Sequence, residues 1–269
     1  MMMRHAAAAA VHLTNHQLFS GRRLLVTLAS VLGPVLLVAV AALMPRGFGL
    51  PPSAEEGYRD TLAGVYIGVI VPFLGIYWGS ALFSDELEGR TLVFLWTRPS
   101  GRAWIFIVKY LVACLWLAVL LVPSVLGVFV IYFGRVGFGD LVRNLPMVGW
   151  DLRSLVVGGT AYMALGFLLS ALTKKPLILG LAYVFLWDSF AFFLPGFLKL
   201  FSIRHYMLVL GSNPHAGAPT GFFAFLAQSE TTEFQSMVTL GCFVVVALLL
   251  AVFLLKKREY LGDDPARAQ

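Results

Sequence analysis

The chain has 269 residues, 59% of them hydrophobic and 13% charged, with a formal net charge of +6. That composition excludes an ordinary soluble domain and leaves an integral membrane protein that uses its whole length for one membrane domain. The basic residues lie in short clusters at the ends of apolar runs rather than on one face, so they are no nucleic-acid signature. The two cysteines, Cys114 and Cys242, sit inside apolar runs and support neither a disulfide framework nor a cysteine metal site.

A bilayer core of about 30 Å needs about 20 helical residues, and six such runs are readable. Before the first of them, His12, Asn15, His16 and Ser20 fall at helical spacing, which suggests an interfacial helix within residues 1–23 on the cytoplasmic surface. His12 and His16 are one turn apart, but no third ligand stands nearby. Leu24 to Met44 is the first span, too long for the apolar core of a cleaved signal peptide. Pro45 to Thr61 is expected to be a loop.

Leu62 to Phe83 is the second span. Gly64, Gly68, Gly75 and Gly79, with Pro72 among them, share one face, and glycines at such intervals let another helix approach closely. That contact is either within the subunit or across a dimer. Pro72 is a candidate kink.

Ser84 to Arg102 follows, reading SDELEGRTLVFLWTRPSGR. Asp85, Glu86 and Glu88 come first, then Gly89 and the apolar block Leu92 to Trp96. A short amphipathic helix with acids at its start, where the dipole favours them, suits docking onto another protein. The pattern acid-x-x-x-Gly-x-Thr-Leu, then Pro, Ser-x-Arg and a Lys in the next span, is carried by Asp85, Gly89, Thr91, Leu92, Pro99, Ser100, Arg102 and Lys109. It resembles the membrane subunits of ABC-2 type ABC transporters. Arg90 stands where small or polar residues are common in that family, and Ser-Gly-Arg replaces the commoner Val-Ser-Arg.

The resemblance implies an all-α, six-span permease whose segment between spans two and three engages a separate ATPase subunit. It implies ATPase-coupling roles for Asp85, Glu86, Glu88, Gly89, Arg90, Thr91, Leu92, Pro99 and Arg102. It also implies a second membrane subunit, identical or different. No cofactor is expected on this chain itself; ATP and Mg are expected on the partner ATPase. The 269 residues contain no sequence of the form G-x-x-x-x-G-K-[ST], so an ATP-driven mechanism needs another polypeptide.

The third span runs from about Trp104 to Phe133, with Lys109 expected to snorkel to the cytoplasmic interface and Pro123 a further candidate kink. Gly134 to Arg153, with charges of both signs and Pro146, is expected to be a loop. Ser154 to Leu172 is the fourth span, carrying Gly158, Gly159 and Gly166. The fifth, Leu177 to Pro195, contains Asp188. An acid inside a span costs about 2.5–3.5 kcal/mol even on the lenient insertion scale. It therefore lies either on a substrate or gating path, or near the outer interface, hydrated or paired with Arg204 or Lys199.

Between Pro195 and Ser236 the apolar pieces Phe197 to Leu210 and Phe222 to Leu226 are too short to cross. Half-helices dipping in from outside suit them, and similar elements lie between the last two spans of ABC-2 type exporters. Met237 to Leu255 is the sixth span, and residues 256–269 form a basic and polar tail.

With both termini inside, 13 of the 20 Lys and Arg fall on the cytoplasmic side against six of the 14 acids. The positive-inside rule chooses that orientation, in a cell inner (plasma) membrane.

Two rival functions are weighed. Glu55-Glu56-Gly57-Tyr58-Arg59 and Phe201-x-x-x-His205 are similar to motifs of CAAX-type membrane proteases. The first is one residue short and no further His completes a metal site. The other rival is a non-catalytic membrane anchor for a complex. A path lined by apolar and aromatic residues, with 22 Phe available, suits lipids, hydrophobic drugs or peptides.

Overall fold

The computed structural model describes residues 14–15, 21–43, 53–88, 102–188, 200–211 and 231–262. Among these, every regular element is a helix. α1 is Gly21–Leu43. α2 starts as Ala54–Thr61, passes through a π-helical stretch, Leu62–Ile70, and continues as Val71–Glu88. α3 is Arg102–Gly134, α4 is Phe138–Leu172, and α5 is Pro176–Ala182 followed by a π-helical end, Tyr183–Asp188. α6 is the nine-residue Ile203–Gly211, and α7 is Glu233–Gly262. Helices satisfy their own backbone groups, which is the condition for lying in hydrocarbon.

Five of the described helices are long and apolar enough to cross a membrane: Arg23–Leu43, Ala54–Leu82, Phe106–Gly134, Phe138–Leu172 and Glu233–Leu254. The expected fifth span is described only as the shorter apolar helix Pro176–Asp188; its continuation to Pro195 lies outside the described residues. Of the two apolar pieces read as half-helices, the first, Phe197 to Leu210, overlaps the helix α6. At about 1.5 Å per residue a helix of nine residues is far too short to cross. The second, Phe222 to Leu226, lies outside the described residues.

Helix enters both expected loops, over the described residues 54–61 of the first and over most of the second. Ala54–Thr61 continues directly into the second span because Ser53 caps it, its side chain accepting from the Glu56 amide at 3.3 Å. Ser53-x-x-Glu56 is the residue pattern of a capping box, and Arg59 pairs with Glu55 at 2.8 Å one turn away. The other loop, Gly134 to Arg153, shrinks to a turn at Arg135–Gly137, after which α4 runs unbroken through Pro146 for 35 residues. Its first turns bury Met147, Val148 and Asp151 on one face, the helical periodicity that charge and proline had obscured. At about 1.5 Å per residue α4 is roughly 50 Å long and outreaches the bilayer core.

α4 is the central helix. It packs against α2, α3, α5, α6 and α7. The glycine face of α2 meets it within the same chain. A Cβ on Gly79 would lie 2.1 Å from the Met163 carbonyl oxygen, and one on Gly75 2.6 Å from Tyr162 Cβ. From the other side, a Cβ on Gly166 would lie 2.7 Å from the Ile76 carbonyl oxygen. Backbone thus touches backbone over this crossing, which is the use of small residues between membrane helices.

Gly64 and Gly68 fall in the π-helical stretch, and Gly68 does not face α4. A Cβ on Gly68 would meet the Arg204 guanidinium at 3.4 Å instead. The π-helical hydrogen bonding, with the Val71 amide bonded to the Tyr66 carbonyl, ends just before Pro72. A ring at Pro72 removes one i→i−4 bond and crowds the carbonyl four residues back. The wider turn upstream accommodates both effects without breaking the span.

Polar pairs staple the remaining spans. Ser124 on α3 donates to the Val31 carbonyl of α1 at 2.5 Å and meets Tyr66 of α2 at 2.7 Å. Trp78 of α2 donates to Thr27 of α1 at 3.3 Å, Thr61 of α2 meets Tyr132 of α3 at 2.8 Å, and Tyr110 of α3 donates to the Thr160 carbonyl of α4 at 2.8 Å. Of the expected N-terminal interfacial segment, Thr14 and Asn15 are described. Both are helical and Thr14 is buried. Asn15 accepts from the Trp116 indole at 2.7 Å, so these residues sit against α3. Lys109, expected to reach for the interface, is buried inside the protein.

Candidate functional site

The acidic stretch after the second span is part of α2. Asp85, Glu86 and Glu88 occupy its last turns, and the helix ends at Glu88. The acids therefore close the second-span helix rather than open a separate one. Gly89, Arg90, Thr91, Leu92 and Pro99 lie outside the described residues, and Arg102 begins α3.

The structure gathers polar side chains elsewhere, around α6. Asp188, at the end of α5, is 1% exposed. One carboxylate oxygen accepts from the Tyr162 hydroxyl of α4. The other accepts from the Ser202 hydroxyl and from the Arg204 amide, the latter at 3.5 Å. Ser202 in turn accepts from the His205 amide at 3.3 Å. The orphan amides at the start of α6, which any helix must satisfy from outside itself, are thus met by Ser202 and by a carboxylate from another helix. The Arg204 side chain lies over Gly68 of α2 and adds a favourable charge close to Asp188.

Further along α6, the Met207 carbonyl accepts from Ser154 of α4 at 2.5 Å, and the Met207 side chain fills the notch at Gly158, where a Cβ would lie 2.1 Å from its sulfur. His205 meets Thr231, just before α7, at 3.2 Å. At the far end of α6, Arg153 of α4 donates to the Leu210 carbonyl at 3.3 Å and pairs with Glu233 of α7 at 2.8 Å. Its guanidinium lies 4.2 Å from the centroid of the Trp150 ring, within cation–π range. Nearby, Asp151 of α4 faces Tyr58 of α2, both side chains being buried.

Sequence reasoning singled out Asp188 and named Arg204 as a neighbour. It missed Tyr162 and Ser202, which look like unremarkable hydroxyls, and Asp151 and Arg153, which were placed in a loop. Their periodicity with Met147, Val148 and Ser154 is the signal that could have found them. Among the described residues no group of three His, Cys, Asp or Glu gathers as a metal site. His205 is engaged by Thr231 and packs edge-on against Tyr206. Glu55 pairs with Arg59 at the start of α2, so the protease-like motifs do not assemble a metal centre among these residues.

A search of curated proteins returns no match. A protein-family model described as ABC-2 family transporter protein matches residues 2–260, nearly the entire length. With several apolar helices long enough to cross a bilayer and a match that spans both the acidic end of α2 and the polar cluster around α6, this chain belongs to the ABC-2 transporter family and is a membrane permease.

Proposed function

We propose that this chain is the membrane-spanning subunit of an ATP-driven exporter, coupled to ATP hydrolysis on a separate ATPase chain that carries the ATP and Mg. The family match over residues 2–260 carries this reading. The absence of a Walker sequence from the 269 residues supports it, since a phosphate-cradling loop must then come from a partner. A second membrane subunit, a copy of this chain or a relative, completes the path. The coupling element is the stretch from Ser84 to Arg102, which includes the last described turns of α2 and the start of α3. A push on it reaches α4 directly, because backbone contacts at Gly75 and Gly79 join the inner part of α2 to α4. The test is purification through a tag on this chain. An ATPase that co-purifies, with hydrolysis altered when this chain is absent, is the expected result; a chain that purifies with no ATPase overturns the reading.

The orientation belongs to the same proposal. Both termini are cytoplasmic, so single cysteines at Glu56, Arg143 and Gln228, in a background lacking Cys114 and Cys242, react with an impermeant thiol reagent in intact cells. Labelling at all three positions only after lysis reverses the orientation and puts the acidic end of α2 on the wrong side for an ATPase.

A further inference from the structure

We propose that Asp188 acts on the gating path as a positioning residue. Its carboxylate clasps the start of α6, holding that short helix between α4 and α5, and does not contact the transported molecule. The functional part of this inference rests on the permease reading; the structural part does not.

The carboxylate is surrounded by donors of the protein. Tyr162 occupies one oxygen, and Ser202 and the Arg204 amide occupy the other. At 1% exposure there is no open face toward a path. Buried polar groups are expensive unless satisfied, and a fully satisfied network is rigid and specific. Here the satisfaction comes from three different places in the chain: α4, the residue preceding α6, and the first turn of α6 itself.

What the clasp holds is a helix too short to be stable alone. α6 has nine residues, and its start depends on Asp188 and Ser202. Further ties run to α4, through Ser154 and the Gly158 notch, to the segment entering α7, through Thr231, and to α5, where the Tyr183 hydroxyl donates to the Phe201 carbonyl at 3.1 Å. Arg153 adds a link from α4 to the Leu210 carbonyl and to Glu233 of α7. α6 is therefore a strut between α4, α5 and α7, and Asp188 is its buried attachment to α5, beside the Tyr183 hydroxyl on the Phe201 carbonyl. Any movement of α5 relative to α4 must carry α6 along or release this carboxylate.

A positioning role and a substrate-contacting charge predict different orders of severity. Asparagine at 188 keeps an acceptor for Ser202 and the Arg204 amide, and the Tyr162 hydroxyl can turn to accept from the new amide. Alanine keeps nothing. Removing the donors while keeping the charge, as in Ser202→Ala with Tyr162→Phe, loosens a clasp but leaves a substrate-contacting carboxylate intact.

The experiment places spin labels at Leu145→Cys and Leu208→Cys, on α4 and α6, in a background of Cys114→Ser and Cys242→Ser. Inter-label distances are measured on the purified chain, and ATP hydrolysis on whatever complex purifies with it. For Asp188→Ala we expect the ratio of seated to unseated α6 to fall at least about tenfold, the factor for one lost charge-assisted hydrogen bond. The double donor variant follows it, and Asp188→Asn restores the narrow distribution and most of the complex's hydrolysis. Unchanged distances in both Asp188→Ala and the double donor variant overturn the clasp. So does a result in which Asp188→Asn is as damaged as Asp188→Ala while the double donor variant behaves as wild type. The distance measurement needs no ATPase, so failure of the permease reading and failure of the clasp are told apart.

Discussion

Gly79→Ala prevents α2 and α4 from closing. The added Cβ would stand 2.1 Å from the Met163 carbonyl oxygen and 2.9 Å from its carbon, and backbone atoms cannot rotate away as a side chain can. The helices must separate along the crossing that also contains Gly75 and Gly166, losing packing in a setting where packing, not the hydrophobic effect, holds helices together. Overpacking typically costs about 1–3 kcal/mol, and a backbone clash belongs at or beyond the upper end. The expected result is a marked fall in thermal stability in detergent and loss of the monodisperse species. Gly241→Ala is the control, since a Cβ there meets nothing within 4 Å; alanine should be neutral or better by helix propensity, about 1 kcal/mol. Equal stability of the Gly79 and Gly241 variants would mean that α2 and α4 do not pack as described.

Glu86→Lys and Gly89→Leu separate the coupling reading from a plain connector. Glu86 stands past the apolar run of the second span, Leu62 to Phe83, in the last described turns of α2. The substitution therefore spares the span while it places a repulsive charge at the proposed ATPase contact, and like charges across an interface discriminate strongly. Gly89 follows the last residue of the helix. A bulky residue there acts through sterics or through backbone angles that only glycine adopts easily. Both variants should insert and show wild-type thermal stability, yet lose the co-purifying ATPase or keep one whose hydrolysis is uncoupled from flux. Wild-type partner retention and flux in both would reduce Ser84 to Arg102 to a linker.

The two predictions differ in how they could be foreseen. Hydropathy and spacing are local properties, so the amino-acid sequence by itself determined the membrane class, most of the apolar runs, the glycine interval along the second span and the pattern around Asp85, Gly89 and Thr91 that marks the family. The capping residues Ser53 and Glu56 were also present locally, but the polar composition of that stretch outweighed them, as charge and Pro146 did at the start of α4. The tertiary structure decided what each face meets. Only it assigned the glycine face of α2 to α4 rather than to a second copy, because a small-residue face specifies close approach and not the identity of the partner. Only it set Gly68 apart from Gly75 and Gly79, because a π-helical turn breaks the 3.6-residue register on which a shared face depends. And only it surrounded Asp188 with Tyr162, Ser202 and the first turn of α6. A buried carboxylate must find donors, but which distant residues supply them follows from how the helices pack.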